Sequence, residues 1–140
     1  MRFEKSCGAV VFAREGGRTH YLIERMRHGH VSLCKGHVEG NETEHETARR
    51  EILEETGIPV RFLHGFRETI SYSPYEGCMK DVVFFLAQAE HTRAAAQECE
   101  VAQIDWLTEE EALAALTYED DRRVLLAAAR HLAQTEQNDA

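Results

Sequence analysis

Three glutamates, Glu51, Glu54 and Glu55, are spaced so that one face of a helix would carry all of them. At 100° per residue they fall within an arc of roughly 100°, where like charges repel each other. An isolated E-x-x-E-E is most often a solvated acidic face. Here Glu42 precedes the helical segment and Arg50 adjoins the glutamates, so hard oxygen ligands gather around an open position. Such ligands suit Mg²⁺ or Mn²⁺, which predicts a divalent metal site.

The segment from Gly36 to Ile58 matches the Nudix box, G-x5-E-x7-R-E-U-x-E-E-x-G-U with U aliphatic, at every defined position. The chain therefore resembles the Nudix family. The resemblance implies an αβα sandwich and metal-dependent hydrolysis of a nucleoside diphosphate linked to another group, in which a metal-activated water attacks phosphorus in line. It also implies residue roles: metal ligands or base helpers at Glu51, Glu54 and Glu55, a metal-facing carbonyl at Lys35, and an orienting pair in Arg50 and Glu42.

The segments flanking the box resemble one branch of that family, the asymmetrically cleaving dinucleoside tetraphosphatases. They are Cys7 to Val11, Lys35 to Glu39, Gly65 to Arg67, Ser71-Tyr72 and Trp106-Leu107. By this resemblance Tyr72 would stack on an adenine ring and Glu100 would be a further metal ligand or base. Phosphate contacts would come from Lys35, His37 and Lys80.

These outer residues also have plainer interpretations. Tyr72 could simply end a strand, Lys80 could be a solvated lysine, and Glu100 a surface acid on a loop. Tyr118 is more typical of a packing residue than of a second adenine clamp. The run His28-Gly29-His30 has no metal-like partner set nearby in the sequence, which favours a solvated loop over a zinc site.

The chain departs from the W-x-x-P-K-G-H run of this branch at two positions, where it has Val31 and Cys34. Loss of the proline removes a φ constraint on the loop that presents Lys35, and loss of the tryptophan removes a large packing surface. The departure bears on the choice of substrate rather than on the metal chemistry.

The composition predicts one domain over residues 1–135 with a short tail over 136–140, since 140 residues with 43% apolar content can bury one core. A net charge of −9 disfavours a nucleic-acid groove and leaves a small nucleotide as the expected substrate. No segment is apolar enough for a membrane span. Four separated cysteines read as free thiols, which favours a cytoplasmic protein. A monomer and a homodimer both remain open.

The elements that must position these residues follow from local patterns. Apolar, β-branched runs at 5–13 and 19–26 flank a Glu-Gly-Gly turn and predict a hairpin. A loop at 35–42 leads into a helix from Thr43 to Thr56, stopped by Gly57. Strands at 60–72, 81–89 and 102–107 precede helices capped by Thr108 and Thr117. This order predicts an α+β or layered αβα fold with a mixed sheet.

The function expected from this reading is hydrolysis of a dinucleoside polyphosphate, such as diadenosine tetraphosphate to ATP and AMP. A sanitising nucleoside triphosphate pyrophosphatase and an RNA 5′-end pyrophosphohydrolase are the alternatives within the same chemistry. A nucleotide-sensing domain without activity is the alternative outside it. The three glutamates favour the enzyme, because a pure binding module does not need them.

Overall fold

Eight strands and three helices build residues 1–139, the part of the chain that the computed structural model describes. The strands are β1 (Arg2–Glu15), β2 (Arg18–Met26), β3 (Val31–Ser32), β4 (Cys34–His37), β5 (Val60–Phe62), β6 (Glu68–Tyr72), β7 (Cys78–Ala89) and β8 (Val101–Leu107). The helices are α1 (Glu44–Thr56), α2 (Glu109–Ala115) and α3 (Glu119–Asp139).

The strands form one mixed sheet in the order β3-β2-β1-β7-β5. β1 and β7 run parallel, from the pair Arg2 and Cys78 to the pair Phe12 and Gln88. The other pairings are antiparallel, with β4 on β1, β6 on β7 and β8 on β2. β4 pairs with β1 from Ser6 and His37 to Ala9 and Cys34, and Lys5 of β1 contacts Glu44 at the start of α1.

Two hydrophobic cores lie on the two faces of this sheet. Alternate residues of β1 divide between them: Cys7, Ala9 and Val11 face one core, whereas Val10 and Phe12 face the other. α1 covers the first core with Ala48 and Ile52, and α2 and α3 cover the second. The layered αβα fold and the α+β class predicted from the sequence are confirmed.

Several predicted elements are confirmed and three are corrected. The hairpin and α1 lie where the sequence placed them, and Thr108 caps α2. The segment 35–42 is not all loop, because β4 pairs with β1. The strand over 60–72 is two strands, β5 and β6, separated by a turn in which Gly65 adopts φ 89°. Thr117 does not adjoin the first turn of α3; its hydroxyl accepts from the Val31 amide.

The C-terminal region is helical further than its polar composition suggested, since α3 continues through Asp139. Ala140, the last residue of the expected tail, lies outside the described residues, and the domain boundary near 135 stays a prediction. Within residues 1–139 no helix has both the length and the hydrophobicity needed to cross a membrane. The four cysteines are free, as expected.

Candidate metal and nucleotide site

Helix α1 is fixed at both ends by its own sequence. The Thr43 hydroxyl accepts from the Glu46 amide at 3.1 Å, and the Glu46 carboxylate accepts from the Thr43 amide at 2.8 Å. At the other end Gly57 adopts φ 76°, and its amide donates to the Leu53 carbonyl. With Ile52 buried against the sheet, the acidic side of the helix faces the end of β4.

Arg50 joins the loop before α1 to the acids on the helix. Its Nε and Nη2 both donate to the Glu42 carboxylate, at 2.6 and 3.0 Å. Its Nη1 donates to Glu51 Oε1 at 3.0 Å and to Glu54 Oε2 at 3.1 Å, and its Nη2 also reaches the His37 carbonyl at 2.9 Å. A planar guanidinium can hold this fork where a lysine could not. The predicted pairing of Arg50 with Glu42 is present in the geometry.

Electrostatics keep this pair ionised. Hydrogen bonds from Arg50 lower the pKa of Glu42 to about 2, and the same contacts raise the pKa of Arg50. Glu42 also accepts from the Thr47 hydroxyl at 2.9 Å and from the Glu39 amide at 3.0 Å. The Glu42 carboxylate thus accepts hydrogen bonds from three residues of the protein, which leaves it less available to a cation than the other acids.

The remaining acids line a cleft of about 460 Å³, which we call the acidic cleft. Its walls include Glu24, Lys35, His37, Glu51, Glu54, Glu55, Lys80, Glu98 and Glu100. Burial raises the pKa of Glu51, and burial followed by the charge of Glu24 raises the pKa of Glu55. These raised pKa values reflect mainly burial, which disfavours the charged carboxylates unless a cation offsets their charge. The donor set therefore fits a divalent cation.

Gly36 lets β4 approach α1 closely at this point. A Cβ atom added to Gly36 would overlap the carboxyl group of Glu51. The Nudix-box glycine thus leaves room for a glutamate, which explains in steric terms why that position has no side chain.

Lys35, His37 and Lys80, which we call the basic arm, line the acidic cleft together with the glutamates. The Lys80 ammonium and His37 Nε2 are 3.5 Å apart, and Lys35 lines the same wall. Burial, and then the charge of Lys80, lower the pKa of His37; burial, and then the charge of Lys35, lower the pKa of Lys80. Mutual repulsion among cationic groups is what an anion such as a phosphate would relieve. The structure brings together the three residues expected to contact phosphate.

Tyr72 lies in a second cavity of about 400 Å³, which we call the aromatic cleft. It is lined by Ile70, Tyr72, Pro74, Tyr118, Asp121, His30 and Lys35, among others. His30 and Lys35 also line the acidic cleft, so the two cavities adjoin. Tyr118, expected to be a packing residue rather than an adenine clamp, is 53% exposed and lines this cavity. Its carbonyl accepts from the Arg122 amide at the start of α3.

Other residues lie partly where the sequence placed them. Glu100 is exposed and lines the acidic cleft, which agrees with the expected position but leaves its role a prediction. His28 and His30 were expected in a solvated loop; both line the cleft, and the His30 ring lies 5.9 Å from that of Tyr118. The position of these two histidines in the cleft depends on the turn between β2 and β3, whose conformation the local sequence does not specify.

The sequence reasoning missed Glu24, which is 1% exposed in the middle of β2. A signal existed: strand alternation puts Glu24 on the same face as Leu22, which lies in the core beneath α1. A carboxylate at such a position is uncommon and indicates a special environment. The two departures from the branch are also buried, with Val31 at 8% and Cys34 at 0% exposure.

Comparison with known proteins gives relatives of the same architecture. A model of the NUDIX domain matches residues 3–128. The asymmetrical bis(5′-nucleosyl)-tetraphosphatase of Sus scrofa is 31% identical over 97 residues, covering 61% of this chain and 65% of that protein. The putative mutator protein MutT4 of Mycobacterium tuberculosis is 34% identical over 108 residues, covering 74% and 44%. The NAD-capped RNA hydrolase NudC of Haemophilus influenzae is 29% identical over 112 residues, covering 76% and 41%. The matched regions thus span less than two thirds of these relatives.

Among solved structures, the Ap4A hydrolase of C. elegans in a binary complex superposes with a TM-score of 0.85 at 25% identity, covering 94% of this chain and 98% of that one. The NUDIX domain of NrtR from Shewanella oneidensis, solved with ADP ribose, superposes with a TM-score of 0.76 at 15% identity and shares the fold. With the family model matching nearly the whole described length and the Nudix box placed on α1 and the end of β4, the chain belongs to the Nudix family.

Proposed function

We propose that this protein hydrolyses a phosphoanhydride bond of a dinucleoside polyphosphate with the help of Mg²⁺ or Mn²⁺. The observation that carries the proposal is the junction of the two cavities at His30 and Lys35. The acidic cleft suits a cation and phosphates, and the aromatic cleft suits a base. A substrate with a nucleoside joined to a polyphosphate chain would occupy both at once.

The aromatic cleft supports recognition of a planar ring. Tyr72 and Tyr118 both line it, and Ile70 and Pro74 give it an apolar wall. Aromatic side chains are suitable platforms for nucleobases, with stacking worth about 1–3 kcal/mol per base. We assign one adenine of the substrate to this cavity.

The chain's own residues would divide the remaining tasks. Glu51, Glu54 and Glu55, with the Lys35 carbonyl, would hold the cation, and Arg50 with Glu42 would keep those acids in place. Lys80, His37 and the Lys35 ammonium would bind the polyphosphate. Glu100, which is exposed and lines the cleft, would take the proton of the attacking water. The metal supplies a Lewis acid that offsets charge on the anhydride and acidifies the water.

The names of the relatives support the class of reaction more broadly than the substrate. One relative is a bis(5′-nucleosyl)-tetraphosphatase, one is a putative mutator protein and one is an NAD-capped RNA hydrolase. A likeness to a ligand-bound NUDIX domain of NrtR keeps a nucleotide sensor as the alternative outside enzymes. The dinucleotide reading is preferred because of the paired cavities.

The decisive experiment is a hydrolysis screen with product identification. The substrates are diadenosine tetraphosphate, nucleoside triphosphates, ADP-ribose, and capped or triphosphorylated RNA, each with and without Mg²⁺. We expect ATP and AMP from diadenosine tetraphosphate, and in H₂¹⁸O the label in one product only, since a single water attacks a single phosphorus. Two ADP molecules, or faster cleavage of another substrate, would contradict the proposal.

A set of tyrosine variants tests the base site. Tyr72→Ala should raise KM for diadenosine tetraphosphate by about ten- to a hundredfold and change kcat less, because the adenine lies away from the reacting phosphorus. Tyr72→Phe should keep most of the affinity because the ring remains. Tyr75→Ala is the matched control, since Tyr75 is 49% exposed nearby and lines neither cavity.

A further inference from the structure

A compact cluster lies at the floor of the acidic cleft, built from Glu24 on β2, Cys34 on β4 and Glu55 on α1. One ligand atom from each residue lies within 4.8 Å of the other two. The Cys34 thiol donates to Glu55 Oε1 with Sγ and oxygen 2.9 Å apart. The three residues are 1%, 0% and 8% exposed. Three elements that are distant in sequence thus place two carboxyl groups and a thiol around one point.

One carboxylate oxygen of the cluster lacks a hydrogen-bond partner among the described residues. Glu24 Oε2 is buried and has no hydrogen-bond partner among residues 1–139. The Ser6 hydroxyl, which lines the same cleft, is also buried without a partner in that range. A buried ionised carboxylate without a partner is strongly unfavourable unless a cation or a donor satisfies it, and without either it takes up a proton.

We propose that Glu24, Cys34 and Glu55 form a binding site for a thiophilic divalent cation, with Zn²⁺ as the ion that fits it. Mg²⁺ and Ca²⁺ take oxygen ligands almost exclusively, whereas thiolate ligands select Zn²⁺ and similar ions. The proposed magnesium ligands are Glu51, Glu54, Glu55 and the Lys35 carbonyl. The zinc site shares only Glu55 with that set.

The geometry needs only small adjustments. Zn–S bonds of about 2.3 Å and Zn–O bonds of about 2.0–2.2 Å at a tetrahedral angle separate neighbouring ligand atoms by about 3.5 Å. The 2.9 Å contact between Cys34 and Glu55 would open by about half an ångström once the hydrogen bond is replaced. Three protein ligands would leave a fourth position for water or a phosphate oxygen, and Glu24 and Glu55 both line the cleft from which it would come.

The binding step is balanced without a redox partner. The Cys34 S–H bond breaks, its proton and any proton held by Glu24 or Glu55 pass to solvent, and the sulfur donates an electron pair to the cation. Glu24 contributes Oε2, the atom that lacks a partner. No residue changes its oxidation state.

Cobalt titration of the full chain tests the site directly, because a thiolate bound to Co²⁺ gives a near-ultraviolet charge-transfer band that oxygen ligands do not. The measurements use a Cys99→Ser background, since Cys99 is an exposed thiol lining the same cleft. We expect the band in that background and its loss on adding Cys34→Ala. Zn²⁺ affinity, measured by calorimetry, should fall at least tenfold in both Cys34→Ala and Cys34→Ser.

A second variant guards against a folding defect at Cys34. Glu24→Gln keeps the thiol, so the cobalt band should persist, while affinity for Zn²⁺ should fall at least tenfold. Cys78→Ser is the control for a buried cysteine elsewhere, and it should leave both readouts unchanged. Circular dichroism confirms that each variant is folded before its titration is interpreted.

Two results would overturn the site. Cobalt binding without a thiolate band in the Cys99→Ser background, or a band that survives Cys34→Ala, means that Cys34 only supports Glu55 by its hydrogen bond. These readouts do not involve hydrolysis, so they stand whether or not the screen of substrates succeeds. If both proposals hold, Zn²⁺ should inhibit the Mg²⁺-dependent reaction, because the two cations compete for Glu55.

Discussion

Arg50 is the residue on which the geometry of the acidic cleft depends. Its guanidinium ties Glu42 in the loop to Glu51 and Glu54 on α1, and so prevents those carboxylates from turning away from each other. The neighbouring Arg49 has a different environment, over the ring of Phe62 and near the Val60 carbonyl. Of these two adjacent arginines, Arg50 contacts the acids of the cleft and Arg49 packs on an aromatic ring.

Arg50→Lys should lower kcat/KM by about a hundredfold or more, because an ammonium cannot make the two-sided contact and a small displacement of ligands is costly to rate. Arg49→Lys is the matched control and should stay within about threefold of the wild type. Steady-state kinetics with diadenosine tetraphosphate and Mg²⁺ give both values. Equal losses in the two variants would show that Arg50 does not orient the acids.

Glu55 makes stability depend on pH in the metal-free chain. Burial and the charge of Glu24 raise the pKa of Glu55 above its ordinary value of 4.5, so folding favours the protonated form. The free energy of unfolding therefore falls as pH rises from the pKa of Glu55 in the unfolded chain through its raised pKa in the folded chain. Glu55→Gln should then melt higher than the wild type at about pH 8, with the difference shrinking toward about pH 5.

The comparison variant is Glu54→Gln, whose side chain is 47% exposed and should change melting less. Both variants should lose more than about a hundredfold in turnover if both carboxylates hold the cation. Thermal melts in chelator, from about pH 5 to pH 8, provide the first readout. A Glu55→Gln protein that melts below the wild type at high pH would contradict the assigned sign.

The spacing of the motif predicted the residues of the Nudix box, but not Glu24 and Tyr118, which line the clefts beside it. Glu42, Arg50 and the glutamates of α1 follow from one contiguous segment, whose spacing sets their geometry. Glu24 and Tyr118 are contributed by β2 and the approach to α3, more than ninety residues apart in sequence. Their convergence depends on the pairing of strands and the packing of α3, which no local pattern encodes.

At the scale of elements, the contact between β1, β4 and α1 sets the width of the acidic cleft. Gly8 on β1 lies opposite Lys35, and a Cβ there would overlap the Cys34 carbonyl. A Cβ on Gly36 would instead overlap the Glu51 carboxyl group. At Gly8 the overlapping atom belongs to the backbone, which cannot move alone. At Gly36 the overlapping atoms are the end of a flexible side chain.

These two glycines should respond differently to alanine. Gly36→Ala should keep the fold, with melting within a few degrees of the wild type, but lose most activity because Glu51 must swing out of the cleft. Gly8→Ala should lower stability by about 1–3 kcal/mol because backbone must shift. Chemical unfolding and kinetics on the same samples give both results. A Gly36→Ala enzyme with full activity would show that Glu51 does not need its present position.

Local signals predicted the elements better than their pairing. The capping box at Thr43 and Glu46 and the glycine at 57 marked both ends of α1. β4 was missed because four residues that include Lys and Gly carry no strand pattern, and only pairing with β1 makes them extended. The parallel contact of β1 with β7 joins residues over seventy positions apart, a distance at which periodicity gives no information.

At the scale of the whole molecule, a net charge of −9 coexists with the site that we propose for a polyphosphate. The acidic cleft collects part of the negative charge, and the basic arm of Lys35, His37 and Lys80 supplies the local positive potential. Cations bound at the cleft would offset its negative charge, so a phosphate chain would be attracted more strongly once metal is bound. We therefore expect metal to bind before nucleotide.

Metal should therefore stabilise the folded chain as a whole. A cation that binds only the native state adds about 2.7 kcal/mol at a hundred times its Kd, which shifts melting upward by several degrees in a domain of this size. We expect this shift with Mg²⁺ and Mn²⁺, and a further shift when a nonhydrolysable dinucleotide is added after the metal. The nucleotide without metal should shift melting little. Ca²⁺ should also stabilise but support turnover poorly, because its looser coordination does not hold water and phosphate in line.

Differential scanning fluorimetry in chelator-treated samples measures each case, with the double variant Glu54→Gln and Glu55→Gln as the control that should show no metal response. A wild-type melting curve indifferent to millimolar Mg²⁺, both with and without the nucleotide, would contradict metal binding by these acids.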